Sequence, residues 1–81
     1  MVYGLYSIYD KLVGYQSPTA LPNDNFAFRS FSEGFSDIKN PQDYILYKLG
    51  EFNLKTGELI THAPVQIACA LDFLKGEDSN A

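Results

Sequence analysis

The residue types that carry most enzyme chemistry are sparse in this chain. It has a single histidine, His62, and a single cysteine, Cys69. A base-activated nucleophile would have to pair Cys69 or a serine with His62, and no local motif marks either residue as activated. The carboxylates are scattered and the glycines isolated, so the sequence contains no divalent-cation cluster and no phosphate-binding loop. We therefore expect a protein that is not an enzyme and that holds no metal and no cofactor.

Tyrosines recur on two predicted strands, one of which also carries a lysine. They are Tyr3, Tyr6 and Tyr9 on the first strand, and Tyr44 and Tyr47 with Lys48 on the second. Aromatic rings on a sheet beside basic side chains form the platforms on which single-stranded nucleic acid stacks. Tyrosines are also typical of the core edge in a small two-layer α+β domain. The sequence alone leaves both interpretations open.

The charge balance limits how nucleic acid could be bound. Six basic and ten acidic residues give a net charge of -4, which has the wrong sign for coating nucleic acid by bulk electrostatics. The six cations form no run; they are Lys11, Arg29, Lys39, Lys48, Lys55 and Lys75. Any DNA site must therefore be a local patch that folding gathers.

Length sets the domain organisation. Eighty-one residues allow one hydrophobic core, so we predict a single domain over residues 1–75 and a polar tail over 76–81. A core of this size rarely contributes more than about 3–5 kcal/mol, which favours self-association, with a homodimer first. No apolar run approaches the ~18 residues of a membrane span, and the N-terminus does not resemble a signal peptide. We expect a cytosolic protein with no membrane partner.

The N-terminal third predicts a strand and a weak hairpin. Val2 to Asp10 place apolar and aromatic residues on both faces of an extended chain, which indicates a strand buried on both sides. Gly14 allows a turn, and residues 15–20 return as a short arm. Pro18 removes a ladder donor and therefore confines that arm to a sheet edge.

A helix is predicted next, capped by Asn23 or Asp24 and running to about Asp37. Its apolar arc consists of Ala27, Phe28, Phe31, Phe35 and Ile38. Gly34 lies at the edge of this arc, where it would permit close approach to a strand. Phe26 lies among the polar residues, where it either folds over the first turn or contacts a partner or second copy.

The C-terminal half predicts two or three strands. Tyr44 to Phe52 form one strand with a bulge at Gly50, and Gly57 supplies the positive φ of the following hairpin loop. The return arm from Leu59 ends near Pro64. Alternation over residues 65–73 favours a last strand, and a helix is the alternative because of Ala68 and Ala70. The predicted fold is α+β: a small antiparallel sheet of about four to five strands with one amphipathic helix packed on one face, in a ββαββ-like order.

Three motifs occur in a specific order. They are YSIYD at residues 6–10, ND-x-x-A-x-R at 23–29 and LGEF at 49–52. In this combination the chain resembles the small nonstructural protein of gokushovirus-type microviruses, which are phages with circular single-stranded DNA genomes. The likeness extends through residues 5–58, and the stretch from Leu59 onward matches no motif.

The resemblance implies a DNA-binding accessory protein of the infected host cytoplasm, assisting single-stranded genome synthesis or packaging. Arg29, the one cation inside a matching motif, is the first candidate for a phosphate contact; the alternative is a surface ion pair with Glu33, worth about 0.3–0.5 kcal/mol. The other candidates for nucleic-acid contact are Lys11, Lys48, Tyr44 and Tyr47. The alternative function is a protein-interaction module that uses Phe26 and an exposed strand edge to dock on a phage replication or capsid protein or a host factor.

Overall fold

One antiparallel sheet with a helix across one face makes up the described part of the chain. The computed structural model describes residues 1–35 and 39–71. The elements are β1 (Val2–Asp10), β2 (Gly14–Tyr15), β3 (Thr19–Leu21), α1 (Asp24–Phe35), β4 (Tyr44–Asn53) and β5 (Leu59–Cys69), with a 3₁₀ turn at Pro41–Asp43. The sheet order is β2-β1-β4-β5, and β3 pairs with the same edge of β1 as β2. The predicted α+β fold is confirmed.

The first hairpin follows the prediction, with a return arm in two pieces. β2 pairs with the end of β1, where Tyr15 faces Tyr9, and β3 pairs with its beginning, where Ala20 faces Leu5. Pro18 lies between β2 and β3, at the edge of the sheet, because it has no N–H to donate to a ladder. Gly14 has a φ of 104°, which the tight turn requires.

β4 contains the predicted bulge. Leu5 faces Gly50 and Tyr6 faces Lys48, so Leu49 is an extra residue on β4. The β4–β5 hairpin is also as predicted, since Gly57 has a φ of 79° and its N–H donates to the Asn53 carbonyl at 2.8 Å. These two features set the register of the C-terminal half of the sheet.

The prediction that Pro64 separates two strands is wrong. β5 runs without a break from Leu59 to Cys69. Thr61 faces Gly50 and Val65 faces Lys48, so residues 62–64 bulge out against one residue of β4. A proline is tolerated there because β5 is the edge strand of the sheet. The predicted extension to residue 73 and the tail at 76–81 lie outside the described residues.

α1 begins at the predicted cap and supplies two of the buried apolar side chains, Ala27 and Phe31. The Asn23 side-chain oxygen accepts a hydrogen bond from the Phe26 N–H at 2.8 Å, which makes Asn23 the N-cap. α1 ends at Phe35 among the described residues, and positions 36–38, the end of the predicted helix, lie outside them. The buried apolar side chains are Tyr6, Ala27, Phe31, Leu46, Ala68 and Ala70.

Two expectations for α1 are wrong. Phe28 was predicted on the buried arc and is 42% exposed, whereas Ala27 and Phe31 on the same helix are buried. Gly34 was expected to allow close approach to a strand, but a Cβ built there meets nothing within 4 Å. Among residues 1–35 and 39–71, Gly34 therefore has no packing role.

The sheet has a covered face and an open face. The covered face, under α1, includes Tyr6, Ile8, Leu46, Lys48, Glu51 and Ala68; the open face includes Tyr3, Leu5, Tyr9, Tyr15, Ile45, Tyr47 and Phe52. The expectation that β1 is buried on both faces is wrong, because its open-face side chains Tyr3, Leu5 and Tyr9 are only half-buried.

Candidate functional site

Three tyrosines meet on the open face and form what we call the tyrosine cluster: Tyr9, Tyr15 and Tyr47. The first hairpin places Tyr15 opposite Tyr9, and the register of β4 places Tyr47 opposite Ser7, diagonal to Tyr9. The ring centroids are 4.8 Å apart for Tyr9–Tyr15, 5.7 Å for Tyr15–Tyr47 and 6.2 Å for Tyr9–Tyr47. The rings are tilted or edge-to-face, the arrangement that aromatic quadrupoles favour.

The tyrosine cluster remains accessible from solvent. Tyr15 is 49% exposed, and Tyr9 and Tyr47 are half-buried. Partial desolvation, followed by repulsion from the phenol groups of Tyr47 and Tyr9, raises the pKa of the Tyr15 hydroxyl. The Tyr15 hydroxyl therefore stays protonated at physiological pH, and its exposed ring surface can contact a ligand.

Lys11 lies beside the tyrosine cluster. It begins the turn between β1 and β2, two residues after Tyr9, and is exposed. Its backbone N–H donates to the Asp43 carbonyl at 3.0 Å, and the Asp10 side chain accepts from the Leu12 N–H at 2.9 Å. These bonds hold the backbone of the turn in place.

The other half of the predicted platform lies on the covered face. Tyr6 is in the core, and Tyr44 packs its ring 5.1 Å from that of Phe35. Lys48 makes ion pairs with Asp24 at 3.3 Å and with Glu51 at 3.7 Å. The structure therefore separates Tyr6, Tyr44 and Lys48 from Tyr47, although sequence grouped them on shared strands.

A polar network on the covered face joins α1 to the sheet. The Tyr6 hydroxyl donates to an Asp24 carboxylate oxygen at 2.5 Å, and Lys48 binds the same oxygen. Burial, and then the hydrogen bond to Asp24, raises the pKa of the Tyr6 hydroxyl far above its usual range. The hydrogen bond from Tyr6 lowers the pKa of Asp24, assisted by Lys48 and opposed by partial burial. The network fastens the first turn of α1 to β1 and β4.

Arg29 and Phe26 lie on α1, on the side of the sheet opposite the tyrosine cluster. Both are exposed. Within residues 1–35 and 39–71 the ion pairs all belong to Lys48, so the alternative prediction of an Arg29–Glu33 pair is wrong. Arg29 therefore presents a cation that no described carboxylate neutralises, but it does so away from the aromatic rings.

Other candidate groups do not assemble into a site. His62 lies in the β5 bulge, where its Nδ1 is 2.8 Å from the Ala63 carbonyl oxygen, and the Cys69 thiol lies 3.8 Å from the Pro41 carbonyl oxygen. A cavity of about 230 Å³ lies between α1 and β1, below the ~300–1,000 Å³ of typical small-molecule sites. A second, more open hollow of about 370 Å³ lies beside the first turn of α1, where Lys48 pairs with Asp24 and Glu51. Among the described residues, no three His, Cys, Asp or Glu side chains converge as metal ligands, and α1 is neither long nor apolar enough to cross a membrane.

Sequence reasoning placed Tyr47 and Lys11 among the candidates but missed Tyr15. The signal was present, because a turn at Gly14 puts the next residue opposite the end of β1. The sequence does not show on which side of the sheet the phosphate candidates Arg29 and Lys48 lie. The structure places Tyr47 in the tyrosine cluster and Lys11 in the turn after β1. It places Arg29, Lys48, Tyr44 and Phe26 on the other side of the sheet.

The fold and the site define a small α+β protein with an aromatic open sheet face. Residues 3–73 match the Phage ORF5 protein family. The match covers most of the chain, which therefore belongs to the Phage ORF5 protein family and is a bacteriophage protein. No curated protein and no solved structure matches it.

Proposed function

We propose that this chain is a noncatalytic accessory protein of a gokushovirus-type phage that binds single-stranded DNA in the host cytoplasm during genome synthesis or packaging. The observation that carries the proposal is the tyrosine cluster on the open face. Membership of a phage family and the order of the YSIYD, ND-x-x-A-x-R and LGEF motifs support the viral context.

Stacking supplies most of the binding energy in this proposal. Each base that stacks on an aromatic side chain contributes about 1–3 kcal/mol, largely independent of sequence. Asp10 in β1 and Glu51 in β4 lie on the covered face. Their carboxylates therefore do not repel DNA bound at the open face. Lys11, exposed in the turn two residues after Tyr9, offers one phosphate contact. A protein of net charge -4 can thus bind DNA through a local uncharged surface.

The test is binding of a fluorescently labelled single-stranded oligonucleotide, followed by anisotropy at low salt. Tyr47→Ala should weaken binding by about 5- to 150-fold, the equivalent of one stacked base. Tyr47→Phe is the matched control, because it keeps the ring, and its affinity should equal that of the wild type. Undetectable binding by the wild-type protein, or equal affinity for Tyr47→Ala, would refute the proposal.

A second pair of variants locates the phosphate contact. Lys11→Ala should weaken binding, whereas Arg29→Ala should leave it unchanged because Arg29 lies across the sheet. With about one phosphate neutralised, log affinity should fall with log salt with a slope of roughly -0.7. A steep slope together with a loss on Arg29→Ala would move the site to α1. Duplex DNA should bind more weakly than single strands, since its bases are already stacked.

A second candidate function is docking on a phage replication or capsid protein or a host factor without DNA contact. Phe26 favours it, because this aromatic side chain is 49% exposed on the outer surface of α1. Tagged wild-type protein would then capture the phage replication initiator or procapsid, and Phe26→Ala would lose that capture. Capture that survives in Phe26→Ala excludes Phe26 as the contact.

A further inference from the structure

β5 ends the sheet with a long unpaired edge. It spans 11 residues, and no described strand pairs with its outer side. Residues 59–66 are all exposed. Unpaired N–H and C=O groups along such an edge are a template for another strand. Four β-branched residues, Ile60, Thr61, Val65 and Ile67, favour the extended conformation that pairing needs.

The edge lacks the charges that usually protect it. Residues 59–71 contain no Asp, Glu, Lys or Arg, although charged side chains, lysine above all, are the common device against edge pairing. Pro64 lies within the bulge at residues 62–64, and Ile67 is a second extra residue on β5, so pairing uses the stretches on either side of the first bulge. In a chain of net charge -4, this uncharged segment lets two copies approach without repulsion along the line of contact.

Two aliphatic side chains on β5 complete the surface. Ile60 faces Glu51 and Val65 faces Lys48, so both lie on the covered face, beside α1. They are 52% and 51% exposed. A second copy related by a twofold axis perpendicular to the sheet would bring its own Ile60 and Val65 next to these, and four aliphatic side chains would be buried together.

We propose that the chain forms a homodimer in which β5 pairs antiparallel with β5 of a second copy. Twofold pairing is isologous, which means that the same surface of both copies forms the interface. The uncharged β5 of one copy then pairs with the uncharged β5 of the other. A charged foreign peptide would find no complementary charge on residues 59–71. The dimer is one ten-stranded sheet with both helices on one side and both tyrosine clusters on the other. The pairing does not depend on DNA binding.

The experiment measures the mass of the full chain by light scattering at micromolar concentration. The wild type should have twice the 9.1 kDa of one chain. The double variant Ile60→Lys/Val65→Lys should be monomeric, and so should Ile60→Glu/Val65→Glu, because like charges then face each other. An equimolar mixture of the Lys variant and the Glu variant should recover the dimer mass, because Lys side chains of one copy then face Glu side chains of the other. This holds for any register of β5 against β5. Val13→Lys, at the distant turn, should remain dimeric.

Three outcomes would overturn the proposal: a wild-type mass of one chain, a Lys variant that remains dimeric, or a mixture that stays monomeric. Circular dichroism confirms that each variant is folded. Amide hydrogen exchange on the wild type gives a measurement without mutation. Amides of residues 59–61 and 65–69 should gain protection as concentration rises, and protection independent of concentration would also overturn the dimer.

Discussion

The two faces of the sheet use tyrosine in opposite ways. On the covered face Tyr6 is 2% exposed, and its hydroxyl donates a hydrogen bond to the Asp24 carboxylate. On the open face Tyr15 is 49% exposed, and its ring contacts are with two other tyrosines. A buried tyrosine needs a hydrogen-bond partner and so becomes part of the scaffold, whereas an exposed cluster keeps ring surface for a ligand. Composition alone does not distinguish the two uses.

Charge divides between the faces in the same way, and one bulge decides the division. With Lys48 on the covered face, simple alternation would put Glu51 on the open face. The extra residue Leu49 shifts the alternation, so Glu51 joins Lys48 and Phe52 moves to the open face. The open face therefore gains an aromatic ring and loses a carboxylate.

The largest effect should come from the covered face. Phe31→Ala removes a buried ring from the core and should lower the free energy of unfolding by about 3–5 kcal/mol, measured by urea denaturation. Phe26→Ala on the same helix is the matched control, since Phe26 is half exposed, and it should cost well under 1 kcal/mol. Equal losses for the two variants would show that α1 packs by another face.

A substitution at Gly50 tests the bulge that determines which β4 side chains lie on each face of the sheet. A Cβ on Gly50 would collide with the Ile60 carbonyl oxygen and lie 3.0 Å from the Thr61 Cα. Because both are backbone atoms of β5, Gly50→Ala should cost about 1–3 kcal/mol in urea unfolding. Gly34→Ala is the control: within the described part of the chain a Cβ there meets nothing within 4 Å, and stability should rise by about 0.5–1 kcal/mol. A neutral Gly50→Ala would mean that β4 and β5 separate freely at the bulge.

Local features of the fold were predictable from sequence, and contacts between distant segments were not. β1 has the predicted bounds, and Pro18, Gly50 and Gly57 each act as their backbone chemistry dictates. Lys48, by contrast, is neutralised by Asp24 and Glu51, which only the assembled sheet and helix bring together. Which tyrosines share a face depended on a bulge and a hairpin register, so the candidate site was only half predicted.

The hydrogen bond between Tyr6 and Asp24 should contribute less than core packing. Bonds to charged groups are worth about 1.5–3 kcal/mol, but the Asp24 side chain is 54% exposed, so solvent screening reduces the cost of Tyr6→Phe to about 1 kcal/mol. Tyr15→Phe on the open face should leave stability unchanged, since no hydrogen bond is lost. The comparison is measured by urea unfolding at neutral pH.

The same bond predicts a pH dependence. The pKa of Asp24 is lowered in the folded state, first by the Tyr6 hydrogen bond. Its contribution to stability is therefore present above its ordinary pKa of 3.8 and is lost as pH falls through the folded value. The stability gap between wild type and Tyr6→Phe should narrow on acidification. A gap that stays constant below pH 3.8 would assign the loss to packing instead.

The smallest effect should appear on alkaline titration, followed by the ultraviolet absorbance of phenolate. Folding raises the pKa of both Tyr6 and Tyr15, so their contributions to stability are complete below pH 10 and are lost above it. Tyr15 is accessible and should ionise reversibly in the folded protein, whereas Tyr6 can lose its proton only when the covered face opens. Tyr15→Phe should thus remove a reversible step that precedes unfolding, and Tyr6→Phe a step that coincides with unfolding. If both steps coincided with unfolding, the open face would be as inaccessible as the covered one, and the tyrosine cluster could not serve as a stacking surface.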